Sequence, residues 1–77
     1  MDIHQAKNAF SKGLITEIVI EPAETGNGWT ILLHTSQDER EKLTDHSGLE
    51  KVFHDLDHAT EAAKTIGSIS PRIEEPF

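Results

Sequence analysis

The chain has 77 residues, the length of one small domain, and its hydrophobic fraction of 35% allows only a thin core. It contains no cysteine, which excludes disulfides, thiolate metal sites and cysteine nucleophiles. The net charge of −7 disfavours direct binding of a phosphate backbone by the monomer, because such a surface needs excess positive charge.

A short helix is predicted at the start of the chain. Asp2 is a suitable N-cap, and Gly13 is a typical stop. Between them, Ile3, Ala6 and Phe10 recur at helical spacing on one face. Because a helix of about ten residues does not persist alone in water, we expect it to dock on the domain or on a second copy.

Residues 14–35 are predicted to form the β-hairpin around which the chain is organised. Two apolar runs, LITEIVIEP and GWTILLHT, are joined by the turn-rich segment AETGN. In the first run Ile18 and Ile20 share one face, and the glutamates share the other. We expect Trp29, in the second run, to dominate the core. An isolated hairpin is marginal in water, so its apolar face needs a cover.

Two short strands and a second helix are predicted after the hairpin. The strands lie at 41–44 and 49–53, separated by a turn over 45–48. The helix covers 55–66, with Asp55 as its N-cap, an alanine-rich apolar stripe and Gly67 as its stop.

These elements predict a single small α+β domain over residues 1–77. We expect an antiparallel sheet of three to four strands, a C-terminal helix packed on one face and a short N-terminal helix. The tail over 70–77 is expected to be mobile. Ile69 is expected to begin a last edge strand, which Pro71 would keep short.

A Gly-Trp strand, a strand ending in Phe, a capped Leu-Asp-x-Ala helix and an Ile-Gly stop follow one another along the chain. The residues of this pattern are Gly28, Trp29, Phe53, Leu56, Asp57, Ala59, Ala63, Ile66 and Gly67. In it the chain resembles small accessory proteins encoded on plasmids and integrative elements, some of them partition-associated. The resemblance implies an accessory, non-catalytic role and supplies no active-site residue. His54, His58 and the proline-interrupted tail depart from the pattern.

His54 and His58, with two aspartates between them, form the one metal-like cluster of the sequence. A helix that begins after Asp55 leaves His54 outside it, so the two imidazoles do not share a helical face. We interpret them as surface histidines and expect no metal. The sequence contains no nucleophile elbow, P-loop or dinucleotide fingerprint, so we assign no catalytic residue and no cofactor, and expect no enzyme.

Two kinds of protein partner are left open. A modular adaptor would use an apolar patch of Phe10, Val19 and Leu32 on the second face of the hairpin. An acidic nucleic-acid mimic would instead present carboxylates to a basic DNA- or RNA-binding protein. Its candidate surface is Asp38, Glu39 and Glu41.

The adaptor is favoured, because Arg40 and Lys42 interrupt the acidic residues in sequence. The sequence thus predicts a small non-enzymatic protein-binding module of the cytoplasm, which binds another protein or itself and acts in the maintenance or regulation of a mobile element. Neither membrane insertion nor direct nucleic-acid binding is expected.

Overall fold

The computed structural model describes residues 1–24, 27–67 and 71–74. Its elements are α1 (Ile3–Ser11), β1 (Ile15–Pro22), β2 (Trp29–Thr35), β3 (Arg40–Lys42), α2 (Leu56–Ile66) and β4 (Arg72–Ile73). Both helices pack on one face of the four-stranded sheet, through a core cluster that joins their alanines to the strand side chains. This confirms the predicted α+β class, with its C-terminal helix on one face and its short N-terminal helix. No helix among the described residues is long and apolar enough to cross a membrane.

The sheet has the strand order β3-β2-β1-β4. β1 and β2 form the predicted antiparallel hairpin, and β3 pairs antiparallel with β2. β4 differs from expectation because it runs parallel to β1, with Val19 opposite Arg72 and Ile20 opposite Ile73. The crossover through α2 explains this direction, since it returns the chain to the end of the sheet where β1 and β3 begin.

A bulge in β1 adjusts which side chains face the helices. The register shifts between Ile15 and Glu17, so Thr16 has no opposite residue on β2. Simple alternation would place Ile15 and Ile18 on opposite faces, whereas the extra residue brings both into the core cluster. The hairpin therefore gains one more buried isoleucine than its sequence pattern predicts.

Aliphatic rather than aromatic side chains fill the core. The largest fully buried members of the core cluster are Ile18, Ile20, Ile31, Leu33 and Leu43. Trp29 is only partly buried at the edge of this cluster, so the expectation that it dominates the core is wrong. As the first residue of β2 it lies at the closed end of the hairpin, away from the centre of the helix layer.

The predicted strand at 41–44 is found as β3, one residue earlier, but the strand predicted at 49–53 does not form. That segment makes only two isolated bridges, Thr44 with Glu50 and Trp29 with Phe53. After β3 this segment leaves the sheet and meets β2 again only at Trp29, the first residue of that strand, so it cannot run alongside either strand for long. The fourth strand of the sheet is β4 instead.

The ends of α2 are those predicted from sequence. Asp55 is the N-cap, and Gly67, with a φ of +143°, is the C-cap. After the helix, Glu74 N donates to Ile20 O at 2.8 Å, which fixes the short edge strand β4. Ile69, the predicted start of that strand, and positions 70 and 75–77 of the predicted mobile tail lie outside the described residues.

Candidate functional site

A cleft of about 430 Å³ opens where the first turn of α1 faces the segment after β3. Residues 2–4, 43–46, 51 and 53 line it, and we call it the cleft. Ile3, Leu43 and Phe53 supply its apolar surface, while aspartate, histidine, threonine and lysine side chains line the rest. Ligand pockets in proteins occupy about 300–1,000 Å³ and combine an apolar lining with a few polar groups. The cleft therefore has the size and composition of a small binding site.

Backbone hydrogen bonds hold the walls of the cleft in place. Thr44 N donates to Met1 O at 2.8 Å, which ties the chain before α1 to the segment after β3. Lys51 N donates to Leu43 O at 2.9 Å, which ties the returning segment to the same strand end. A capping box between Asp2 and Gln5 fixes the start of α1. The cleft is thus largely pre-formed.

Asp45 organises the turn that forms one wall of the cleft. Its Oδ1 accepts hydrogen bonds from Ser47 Oγ at 2.6 Å, Ser47 N at 2.8 Å and Leu49 N at 3.2 Å. These bonds, that of the Ser47 hydroxyl first, hold the pKa of the Asp45 carboxyl below its ordinary 3.8. The carboxylate therefore stabilises the turn and is ionised near neutral pH.

Lys51 brings a cation to the apolar side of the cleft. Its Nζ lies 5.9 Å from the centroid of the Phe53 ring, within the range of a cation–π contact. Among the described residues Lys51 forms no ion pair. The cleft can therefore bury an apolar side chain of a bound molecule, and Lys51 can donate hydrogen bonds to polar groups next to that side chain.

A smaller groove of about 190 Å³ lies beside the cleft, between α1 and the β2–β3 turn. Its apolar lining is Met1, Ala9 and Leu14, its acidic lining is Glu39 and Glu41, and residues 35–37 complete it. We call it the acidic groove. It adjoins the cleft, since Glu41 in the groove and Leu43 in the cleft are two residues apart on one extended segment.

The alternation of β3 separates charges that are interleaved in sequence. Glu41 lies opposite Leu33, a core residue, and so projects to the helix side of the sheet. Arg40 and Lys42, the neighbours of Glu41 in sequence, lie opposite His34 and Leu32 and project to the open face, which carries no helix. Their positions in sequence suggested that these basic residues neutralise the neighbouring glutamates. In the structure they lie on the other face of the sheet and do not neutralise the acidic groove.

Asp38, Glu39 and Glu41, the acidic surface predicted from sequence, are all exposed. Asp38 adopts a φ of +63° in the β2–β3 turn, and Glu39 N donates to Thr35 Oγ1 at 3.1 Å. The structure brings Glu39 and Glu41 together in the acidic groove, whereas Asp38 lies in the turn next to it.

The apolar patch predicted from Phe10, Val19 and Leu32 is not brought together. Val19 and Leu32 pair with each other, and their side chains lie on the open face. Phe10 lies on α1 and packs against the core cluster on the other side of the sheet. Val19 is 0% exposed, and Leu32 is half-buried.

Ion-paired side chains flank Val19 and Leu32 on the open face. Lys42 Nζ lies 3.1 Å from Glu50 Oε1, and that contact raises the pKa of Lys42. On the other side of Val19 and Leu32, Arg72 Nη2 lies 3.5 Å from Glu17 Oε1. Long side chains thus cover the apolar centre of this face.

His54 and His58 are exposed at the start of α2. His58 Nδ1 lies 2.7 Å from Asp55 Oδ1, the oxygen that also accepts the hydrogen bond from His58 N at 2.8 Å. Within residues 1–24, 27–67 and 71–74, no three histidine, aspartate or glutamate side chains are placed to hold a metal ion. His58 is therefore part of the helix cap through its contacts with Asp55.

No protein-family model matches the chain, and neither does any curated protein or solved structure. The resemblance to plasmid-encoded accessory proteins therefore stays a prediction. The cleft, the acidic groove and the separation of charges on β3 are the features from which a function can be inferred.

Proposed function

We propose that this chain is a small non-enzymatic protein-binding module, which docks an apolar side chain of its partner in the cleft. The observation that carries the proposal is the apolar lining of Ile3, Leu43 and Phe53 in an open, pre-formed cleft. Burying one leucine-sized side chain is worth about 1.5–3 kcal/mol, so an anchor of this kind can orient a partner segment. Leu49, 69% exposed on the adjoining turn, extends the apolar surface.

The module is proposed to work in the cytoplasm as an accessory protein of a mobile genetic element, in maintenance or regulation. This part rests on the resemblance carried by Gly28, Trp29 and the capped helix α2. The gene neighbourhood tests it: partition, replication or transfer genes beside this one are expected, and a neighbourhood of unrelated metabolic genes would contradict the link.

An acidic nucleic-acid mimic is the second candidate function. The observation in its favour is that Asp38, Glu39 and Glu41 are exposed and that Arg40 projects to the other face. Salt separates the two candidates, because screening weakens exposed charge pairs but changes apolar docking little. Capture of only nucleic-acid-binding proteins, lost at moderate salt, would favour the mimic.

Affinity capture from a host lysate with matched variants tests the docking site. Ile3→Asp places a carboxylate in the cleft, at a helix start where negative charge is tolerated. Asn8→Asp makes the same change in net charge at an exposed position of the same helix. We expect the wild type and Asn8→Asp to capture one defined polypeptide, or a second copy of the chain, and Ile3→Asp to lose it while still folded by circular dichroism.

Equal capture by all three proteins would contradict the cleft as the docking site. Reproducible turnover of a small substrate, abolished by a point substitution, would contradict the non-enzymatic role.

A further inference from the structure

We infer that the acidic groove binds a lysine or arginine side chain of the same partner segment that docks in the cleft. The partner is then a protein segment with a basic residue close to its apolar anchor. This inference rests on the proposed function for the location of the anchor, and it adds the chemistry of the partner.

The acidic groove fits the two parts of a long basic side chain. Met1, Ala9 and Leu14 offer apolar surface to its methylene stem, and Leu14 is 49% exposed. Glu39 and Glu41 offer carboxylates to its charged head. Lysine and arginine side chains commonly lie along apolar surface with the charge at the water boundary, and they hydrogen-bond strongly to carboxylates.

The charged side chains that line the groove, Glu39 and Glu41, are both acidic. Neither Glu39 nor Glu41 forms an ion pair within the described part of the chain. The nearest basic side chains in sequence, Arg40 and Lys42, project to the open face. Lys42 lies there 3.1 Å from Glu50 and 3.4 Å from Glu24. The groove therefore complements a cation and repels an acidic peptide or a phosphate backbone.

The position of the groove sets the spacing of the two partner side chains. Glu41 and Leu43 are two residues apart on one extended segment, a separation of about 7 Å. An extended partner segment that follows this seam places alternate side chains on the same face. A basic residue two positions from the apolar anchor would therefore reach the acidic groove.

Capped synthetic pentapeptides and NMR of the isotope-labelled full chain test the inference. The probe carries leucine and lysine two positions apart. Its matched peptides replace the lysine by norleucine, the lysine by glutamate, or the leucine by alanine. The reporters are backbone amides of the groove and of the cleft, namely Leu14, Gln37, Glu41, Ile3, Thr44 and Lys51.

We expect the leucine–lysine peptide to shift both sets of amides saturably. Norleucine in place of lysine should weaken its binding about two- to fivefold, the range expected for an exposed charged pair. Glutamate should weaken it further. The double variant Glu39→Gln and Glu41→Gln should lose the preference for lysine, whereas Glu61→Gln, an exposed position on α2, should keep it.

Equal affinity for the lysine and norleucine peptides, or silent groove amides, would overturn the inference. If cleft amides still respond to the leucine, the proposed function stands without it. A different result would be that the cleft amides do not shift, while the groove amides shift with every lysine peptide, with or without leucine. The basic site would then stand and the proposed anchor site would fail. Silence at both sets of amides would overturn both.

Discussion

The ring of Phe10 packs directly on Gly67 and thereby joins α1 to the C-terminal end of α2. A Cβ atom added at Gly67 would lie 2.5 Å from Phe10 Cδ1 and 2.7 Å from Phe10 Cε1, which is closer than non-bonded carbon atoms can approach. Gly67 also has a φ of +143°, which residues with a side chain rarely adopt. Glycine is therefore required here both for the turn of the chain and for the contact between the helices.

Gly67→Ala is expected to destabilise the domain by about 2–4 kcal/mol, because backbone strain adds to the clash with the Phe10 ring. Gly13→Ala is the matched control: its φ is +75°, and nothing lies within 4 Å of an added Cβ. The free energy of unfolding of that variant should fall by only about 1–2 kcal/mol, from backbone strain alone. Urea unfolding measures both, and an equal loss would contradict the packing of Phe10 on Gly67.

Asp55 is expected to make the stability of the domain depend on pH. Its carboxylate accepts a hydrogen bond from His58 N, and that bond, followed by the contact with the His58 ring, lowers its pKa below the ordinary 3.8. A lowered pKa in the folded state means that the stabilisation is present above 3.8 and is lost as pH falls through the folded value.

Asp55→Ala should therefore lower the melting temperature at neutral pH, and the difference from wild type should shrink below pH 3.8. Asp57→Ala is the control, because Asp57 lies in the same helical turn but does not make the capping bond. Its melting temperature should differ less from that of the wild type. Thermal melts followed by circular dichroism across this pH range measure the effect. A difference that does not change with pH would contradict the ionised cap.

Val19 is expected to stabilise the sheet rather than to contact a partner. It is fully buried on the open face, so Val19→Ala should lower the free energy of unfolding by about 2 kcal/mol. Val52→Ala removes the same atoms from a side chain that is 48% exposed and should cost less than about 1 kcal/mol. Partner capture by folded Val19→Ala should match that of the wild type. Normal stability with lost capture would identify Val19 as a docking residue after all.

The elements with strong local signals were predictable from sequence. α2 follows from Asp55, Gly67 and an apolar stripe at helical spacing, and the hairpin follows from its alternating runs. β4 was not predicted as a parallel strand, because a strand of two residues is too short to show any periodicity in sequence. The strand expected at 49–53 failed because its pairing depends on where the turn at Asp45 directs the chain.

The candidate site was less predictable than the fold. The cleft joins α1, the end of β3 and Phe53, which are far apart in sequence, and no local pattern relates them. The separation of Glu41 from Arg40 and Lys42 could have been predicted, since alternate residues of a strand face opposite ways. In sequence, Arg40 and Lys42 alternate with the acidic residues, which hides the acidic surface that Glu39 and Glu41 form in the groove.

Docking of a partner in the cleft is tested most directly by site-specific photocrosslinking in the host cell. A photoreactive benzophenone amino acid replaces His46, an exposed residue of the cleft, or Glu61, an exposed residue of α2. The proposed function predicts one discrete adduct from position 46, with another protein or a second copy, and none from position 61. Adding Ile3→Asp to the same chain should remove the adduct. No adduct from position 46, or the same adducts from both positions, would contradict it.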